Sequence, residues 1–227
     1  PFRPRRFVVT NVEKHPAATI IDAAPKGRGF KKLSPGGFGV ISFGKKGLRE
    51  PHPFTISRMG KDGSIQFSIR ALGDYTARVR EAVAVGDKMS VEAGYGGFDF
   101  RRGEDTQVWL AGGIGITPFL TFADSLTVEN KRKIVLIYCV GKHEEVVGLD
   151  RLRAAEARTQ GFKLHLHVSE ADGRMDVKTI VSIPDFEMTN AGFWFCGPAP
   201  MRVGMIDDLK EMAKLPNSFH FEEFEFR

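Results

Sequence analysis

Ala111-Gly112-Gly113-Ile114-Gly115-Ile116-Thr117-Pro118 is the stretch from which the fold of this chain is read. The run before it, Thr106–Ala111, is apolar enough for a buried strand. The residues after it place Phe119, Phe122, Ala123 and Leu126 on one helical face, with Thr117 as N-cap and Pro118 at the first helical position. A glycine-rich turn that leaves a strand and opens a helix presents bare N–H groups and the positive end of the helix dipole, which suits phosphate. It departs from the G-x-G-x-x-G dinucleotide pattern, because Pro118 occupies the third glycine position. An ordinary glycine-rich strand-to-helix turn is the other reading of these eight residues.

Downstream, the rhythm of strand then helix continues. Ile134–Val140 is apolar throughout, as a strand covered on both faces of a parallel sheet would be. Leu149–Thr159 reads as a helix, Phe162–Val168 and Gly192–Cys196 as strands, and Phe219–Phe226 as a final strand. Met201–Ala213 reads as a helix with Ile206, Leu209 and Met212 on one side. Upstream of residue 100 the pattern differs. Short β-type runs at Phe7–Val12, Ala17–Ala23, Phe38–Phe43, His52–Ser57, Ser64–Arg70 and Lys88–Ala93 alternate with Gly and Pro, the signature of a small antiparallel barrel or sandwich. Tyr75–Ala84 fits a short helix. The expectation is two domains: an antiparallel β-barrel over residues 1–101, then a doubly wound α/β domain with a parallel sheet over 102–227, joined by a charged linker at Arg101–Asp105.

Composition narrows the function classes. The 227 residues have 42% hydrophobic and 27% charged side chains, which excludes intrinsic disorder. The net charge is +5, but residues 1–50 carry 11 basic and 3 acidic side chains. The basic excess therefore sits at one end, and no nucleic-acid partner is expected. The apolar run Ile134–Val140 is too short to span a membrane. Cys139 and Cys196 are too few for a disulfide framework or an all-thiolate metal site. His165 and His167 share one strand face without a completing ligand, so no metal site is expected, and no G-x-S-x-G marks a serine hydrolase.

Three further segments carry chemistry. His52-Pro53-Phe54-Thr55-Ile56-Ser57 offers an aromatic ring and hydroxyls on a strand, and Ile69-Arg70-Ala71-Leu72-Gly73-Asp74-Tyr75-Thr76 a cation, a glycine and a hydroxyl entering a helix. The second suits an anionic group; a plain strand and a capped turn are the alternative. Phe193-Trp194-Phe195-Cys196-Gly197-Pro198 puts Cys196 at the carboxyl edge of a parallel sheet, where ligands bind, although, taken alone, a small buried thiol packing as a hydrophobe is the better reading. The tail alternates aromatic and polar residues until the phase slips at Glu222-Glu223.

In this order the segments resemble the ferredoxin–NADP reductase superfamily, and within it the ferric reductase and NADPH oxidase branch. Pro35-Gly36-Gly37-Phe38 resembles the same family's barrel. The resemblance implies a flavin-binding barrel followed by a pyridine-nucleotide domain, with FAD and NAD(P)H as cofactors. His52-Pro53-Phe54-Thr55 matches the family's H-P-F-T, which places Phe54 against the isoalloxazine and Thr55 within reach of flavin N5. Arg70, Gly73 and Thr76 match the segment that cradles the FAD pyrophosphate, with Ile56, Ser57, Ile69, Leu72, Asp74 and Tyr75 in the surrounding flavin segments. Gly112, Gly113, Gly115, Thr117 and Pro118 match the nucleotide pyrophosphate site; Cys196-Gly197-Pro198 matches the C-G-P beside the hydride-transfer centre. Phe224, in Glu222-Glu223-Phe224, matches the terminal aromatic that covers the flavin, and Glu222 joins Thr55, Cys196 and Phe224 as the residues expected to act in catalysis. Two departures stand out. His52 occupies the place of the Arg found in most soluble members, shifting pyrophosphate contact toward Arg70, and Glu92-Ala93-Gly94-Tyr95-Gly96 stands where many relatives have E-G-P-Y-G.

The activity implied is hydride transfer from NAD(P)H to FAD, followed by release of single electrons to haem or ferric iron. Members of the H-P-F-T branch carry haem in a membrane domain ahead of the flavin domain, so that domain is the expected upstream partner. The chain opens Pro1-Phe2-Arg3 without a Met, consistent with a piece of a longer protein. Arg3, Arg5 and Arg6 then read as a juxtamembrane segment in contact with the cytoplasmic side of the cell membrane, or as a solvated basic terminus. A soluble reductase for a ferredoxin, an oxygenase or free ferric complexes is the alternative, and a flavin-binding regulatory module the non-enzymatic one. NADPH is expected over NADH. Lys142, after Ile134–Val140, and Arg174, after Phe162–Val168, are the expected 2′-phosphate cations, opposed by Glu144 and Glu145.

Overall fold

In the first hundred residues, inward-facing side chains recur at every second position. Phe7 and Val9 on β1 (Arg5–Lys14), Ile41 and Phe43 on β3 (Phe38–Phe43), and Met89 and Val91 on β6 (Lys88–Tyr95) point into one apolar core. With β2 (Thr19–Pro25), β4 (His52–Met59) and β5 (Ile65–Ile69) these strands close into an antiparallel barrel, in the order β1-β2-β5-β4-β3-β6. Closure removes the sheet edges. This is a computed structural model, and it describes residues 3–30 and 33–222. The expected short helix is α1 (Asp74–Ala82), which ends two residues before the expected Ala84 and buries Tyr75 and Val79.

Residues 100 onward form a separate compact unit, the first being 1–99. The expected linker at Arg101–Asp105 is held inside the second unit: the Gln107 amide donates to Phe100 O at 2.8 Å and Glu104 O at 2.7 Å. The unit is built on a wholly parallel sheet of β7 (Thr106–Gly112), β8 (Lys133–Val140), β9 (Phe162–Val168), β10 (Gly192–Cys196) and β11 (Ser218–Glu222), in the order β11-β10-β7-β8-β9. The chain winds outward from β7 through β8 to β9, then returns to the other side of β7. The strand order therefore reverses between β7 and β10, and their carboxyl ends form the switch-point crevice.

Both faces of this sheet are buried. Trp109 stacks on Phe119 of α2 (Thr117–Ser125) and also meets Phe162, and Phe122 of α2 meets Trp109 and Trp194 edge-on, while Val108, Leu110, Phe193 and Phe195 pack on the opposite face against residues of α5 (Val177–Ser182) and α6 (Ala199–Glu211). Helix α3 (Leu149–Arg158) covers α2. A four-residue helix, α4 (Ser169–Asp172), and α5 had no clear signal in the sequence, being too short to show a 3.6-residue period. Two local expectations are corrected. Thr117 is the first helical residue rather than the N-cap, because a 3-10 turn at Gly113–Ile116 runs straight into α2 with Ile116 already in the helical region. On α6 the buried face is Met205 and Leu209, flanked by Met201, whereas Met212 is exposed.

Candidate active site

In the barrel unit the two flavin-like segments meet. β4 pairs with β5, so His52–Ser57 lies beside the strand that leads into Arg70–Thr76. The His52 ring then packs on the Tyr75 ring, centroids 3.7 Å apart. Phe54 and Ile56 turn into the barrel core, Phe54 remaining 9% exposed. Thr55 and Ser57 occupy the other face of the strand. Ser57 is fully buried; its hydroxyl donates to Gln66 O at 3.1 Å and accepts from Ser68 at 3.2 Å, so it serves the strand pairing. Thr55 Oγ1, His52 Nε2 and the Tyr75 hydroxyl are buried without a hydrogen-bond partner. A buried orphan costs about 1–3 kcal/mol, so the Thr55 and Tyr75 hydroxyls suit a ligand-facing surface, while His52 Nε2 lies 3.6 Å from the Glu50 carboxylate. Burial, with the nearby Glu50 carboxylate, pushes the Tyr75 hydroxyl up to about 12, which keeps it a neutral donor.

The anion-suited turn lies next to them. Gly73 precedes α1, and a Cβ there would meet nothing within 4 Å. The Thr76 hydroxyl accepts from the N–H of Leu72 at 2.9 Å and of Gly73 at 3.1 Å, and donates to Gly73 O at 3.0 Å. Thr76 therefore shapes this turn, and Arg70, Leu72 and Asp74 stand exposed around it. Ile69 is core, and Pro53 is half-buried at the mouth of the strand. Phe38, paired opposite Thr55, stacks on Tyr95 at 5.5 Å. The departing segment Glu92–Gly96 turns through Gly94 and Gly96 at φ values of 110° and 103°, conformations that suit glycine. These residues fit an aromatic, hydrogen-bonding cofactor that carries a pyrophosphate.

In the second unit the site is made of backbone. Cys196, the last residue of β10, pairs with Ala111, one residue before the end of β7. A Cβ on Gly115 would lie 2.1 Å from Cys196 O, one on Gly112 2.8 Å from Pro198 Cδ, and one on Gly197 3.1 Å from Gly112 N. The Gly112–Gly115 turn and Cys196-Gly197-Pro198 are thus locked together at the switch point, where only glycine permits the approach. Gly113 adopts φ 54°, and Thr117 donates to Ile114 O at 3.2 Å, with Thr117 and Pro118 buried behind the turn.

Cys196 is fully buried, and burial together with the Glu222 carboxylate pushes its thiol well above the ordinary range, so it stays a neutral thiol. Glu222 pairs with it across β10 and β11; its Oε2 is a buried orphan, and burial raises its carboxyl to about 7. Phe224 and Glu223 lie outside the described residues. Farther along the same carboxyl edge, Lys142 and Arg174 are exposed on two loops joined by the Glu170 N–H donating to Gly141 O at 3.0 Å. Glu145 accepts from the N–H groups of Gly141 and Lys142 at 3.0 and 3.1 Å, so one of the two opposing carboxylates is a loop staple.

Sequence reading missed the polar tie at the other end of β11. Glu104 accepts from Asn217 at 2.9 Å and Ser218 at 2.8 Å, Ser218 contacts His220 Nε2 at 3.0 Å, and His220 stacks on Trp194 at 4.0 Å. Glu104 is more than 100 residues from Asn217 and Ser218 in sequence, and no local pattern announces that tie.

Comparison with known proteins agrees with this geometry. Residues 6–137 match the FAD-binding domain family and residues 109–207 the oxidoreductase NAD-binding domain family. The toluate 1,2-dioxygenase electron transfer component of Pseudomonas putida is 27% identical over 185 residues, covering 78% of this chain and 55% of that protein. Human NADPH oxidase 3 is 30% identical over 137 residues, covering 54% of this chain and 23% of that protein. The chain therefore spans about half or less of the length of these curated relatives. The flavohaem-like FAD/NAD-binding domain of Vibrio cholerae nitric oxide dioxygenase has the same fold, with a TM-score of 0.82 at 21% identity over 98% of this chain and 99% of that one. With an FAD-binding domain and an oxidoreductase NAD-binding domain in this order, the chain belongs to the ferredoxin–NADP reductase superfamily and is an NAD(P)H-dependent flavoprotein oxidoreductase.

Proposed function

We propose that the chain is the dehydrogenase portion of a larger electron-transfer protein, taking hydride from NADPH onto FAD and passing single electrons to haem or ferric iron held by a membrane domain, on the cytoplasmic side of the cell membrane. The observation that carries the dehydrogenase reading is the backbone lock between Gly112–Gly115 and Cys196–Pro198 at the switch point, where parallel α/β sheets bind nucleotides. The relatives that include NADPH oxidase 3 support the membrane acceptor. The longer match to the toluate dioxygenase component favours a second reading, a reductase that serves an oxygenase.

Bound FAD supplies the chemistry of accepting two electrons from a reduced nicotinamide and releasing them singly. The chain's own residues position and screen. Arg70 and the turn at Gly73–Thr76 would hold the pyrophosphate, and the unpartnered Thr55 and Tyr75 hydroxyls would be available to the flavin. The neutral, fully buried thiol of Cys196 would back the nicotinamide site without adding charge, neither nucleophile nor base. Glu222, its carboxyl raised to about 7 by burial, would be about half-protonated at neutral pH and so would lessen the negative charge beside the nicotinamide. Lys142 and Arg174 select the 2′-phosphate through charge-assisted bonds.

Steady-state turnover with ferricyanide tests the core of this reading. The FAD-loaded protein should oxidise NADPH with a kcat/KM at least tenfold above that for NADH; equal values overturn the NADPH assignment, and failure to oxidise either overturns the dehydrogenase reading. Fusion to the native upstream sequence, followed by haem analysis, separates the membrane reading from the oxygenase-reductase one.

A further inference from the structure

The barrel unit carries a second concave surface, on β1, β6 and β3, the last of which also pairs with β4. Across β1, β6 and β3, Arg6 pairs with Ser90 and Ser90 with Ser42, forming one row on the outer face of the barrel. Inward neighbours of this row are core residues, so the row itself faces solvent. Lys26, Arg49 and Lys88 wall the row into a groove of about 720 Å³. No acidic side chain lines it, and none of its four cations makes an ion pair among the described residues.

Three of the eleven basic residues of 1–50, Arg6, Lys26 and Arg49, thus line one groove. Arg5, next to Arg6, is committed elsewhere: its guanidinium sits 4.7 Å over the Phe30 ring and donates to Arg28 O and Gly29 O. Four like charges on residues lining one groove, with Phe7, Phe43 and Met89 between them and no acidic side chain among the lining, gain from an anion that meets them. The two serine hydroxyls on the floor can each donate to an oxyanion, and the groove has room for more than one phosphate group. A concave pocket of this size suits a compact, multiply charged group better than the flat face of an acidic protein.

We propose that this groove binds a polyphosphorylated anion, with Arg6, Lys26, Arg49 and Lys88 neutralising its charge and Ser42 and Ser90 fixing its orientation. The same chemistry is offered by a phosphoinositide headgroup and by a soluble polyphosphate. The site is made of barrel-unit residues alone and does not depend on the acceptor assigned above.

FAD-loaded protein is titrated at 150 mM salt with tripolyphosphate, in the presence of saturating NADP⁺, and in parallel with phosphatidylcholine vesicles containing 5% phosphatidylinositol 4,5-bisphosphate. Arg6→Gln/Lys88→Gln removes two exposed cations and should weaken binding at least tenfold, with FAD content and ferricyanide turnover unchanged. Tripolyphosphate binding without vesicle binding assigns a soluble source; vesicle binding that tripolyphosphate displaces assigns the lipid headgroup. Binding abolished by NADP⁺, binding equal in the double variant, or no binding of either probe overturns the proposal. Ser90→Ala, which keeps every charge, should weaken binding a fewfold; no change in that variant alongside a loss in the double variant would mean a diffuse basic surface and overturn the oriented site.

Discussion

The barrel and the α/β unit both carry cofactor motifs, but they build their surfaces from different material. In the α/β unit the motif residues are glycines whose missing side chains let two backbone segments touch, and the crevice is finished by main-chain packing alone. In the barrel the motif residues contribute side chains: a histidine on a tyrosine, a buried hydroxyl without a partner, an arginine standing in solvent. A backbone-built site fails abruptly when a single methyl group is added. A side-chain-built site loses affinity contact by contact. The comparison teaches that mutational steepness, and not only position, distinguishes the two halves.

The largest expected effect is at Gly115. Its Cβ would fall 2.1 Å from a backbone oxygen that no side-chain rotation can move. Gly115→Val should cut NADPH oxidation more than 100-fold while FAD content, measured by absorbance after gel filtration, stays near normal. Loss of FAD as well would break the distinction between the halves. Arg70→Ala comes next and probes the barrel half. Losing one charge-assisted phosphate contact, about 1.5–3 kcal/mol, should weaken FAD binding ten- to hundredfold by fluorescence titration. The nucleotide affinity of the α/β unit should not change.

Glu222 sharpens the comparison through pH. Its carboxyl is raised in the folded protein from an ordinary 4.5 to about 7, by burial. A raised acid binds its proton more tightly when folded, so its stabilising contribution is complete below pH 4.5 and is lost as pH rises through about 7. The α/β unit should lose on the order of 1–2 kcal/mol between pH 5 and pH 7.5, and Glu222→Gln should flatten that slope in urea titrations. A slope unaltered in the variant would place the titrating group elsewhere. The smallest effects belong to Lys142→Ala and Arg174→Ala. Both side chains are exposed and salt-screened, so each should lower the NADPH-to-NADH ratio of kcat/KM about threefold to tenfold. An unchanged ratio in both would mean that the two adjoining loops do not reach the 2′-phosphate.

Much of this molecule was legible in its residues because the relevant signals are local. The Gly-rich turn between an apolar strand and an apolar helix announced the switch-point architecture, and short alternating runs announced the barrel; both are seen. Ile134–Val140, apolar at every position, is indeed covered on both faces as β8. Periodicity failed where a helix is short, as at Ser169–Asp172, or where competing apolar positions leave the face ambiguous. On α6, Met201, Met205 and Leu209 form the inward line at four-residue spacing, although Ile206, Leu209 and Met212 fit a helical pattern equally well.

What residue order determined alone, then, is the period of each segment, the places where the chain must turn, and the set of side chains able to meet a flavin or a phosphate. Hydrophobic period and glycine conformation are properties of a few consecutive residues, and they survive without a fold. Only the tertiary structure decided which of those residues are neighbours. It set His52 on Tyr75, seated Cys196 between Ala111 and Glu222, and tied Glu104 to Ser218 across more than 100 residues. It also sent Arg5 onto Phe30 while leaving Arg6 open to the groove. Burial, and with it every raised or lowered acidity, arises from these long-range encounters, because the dielectric around a group is made by chain segments that its own sequence neighbourhood does not contain.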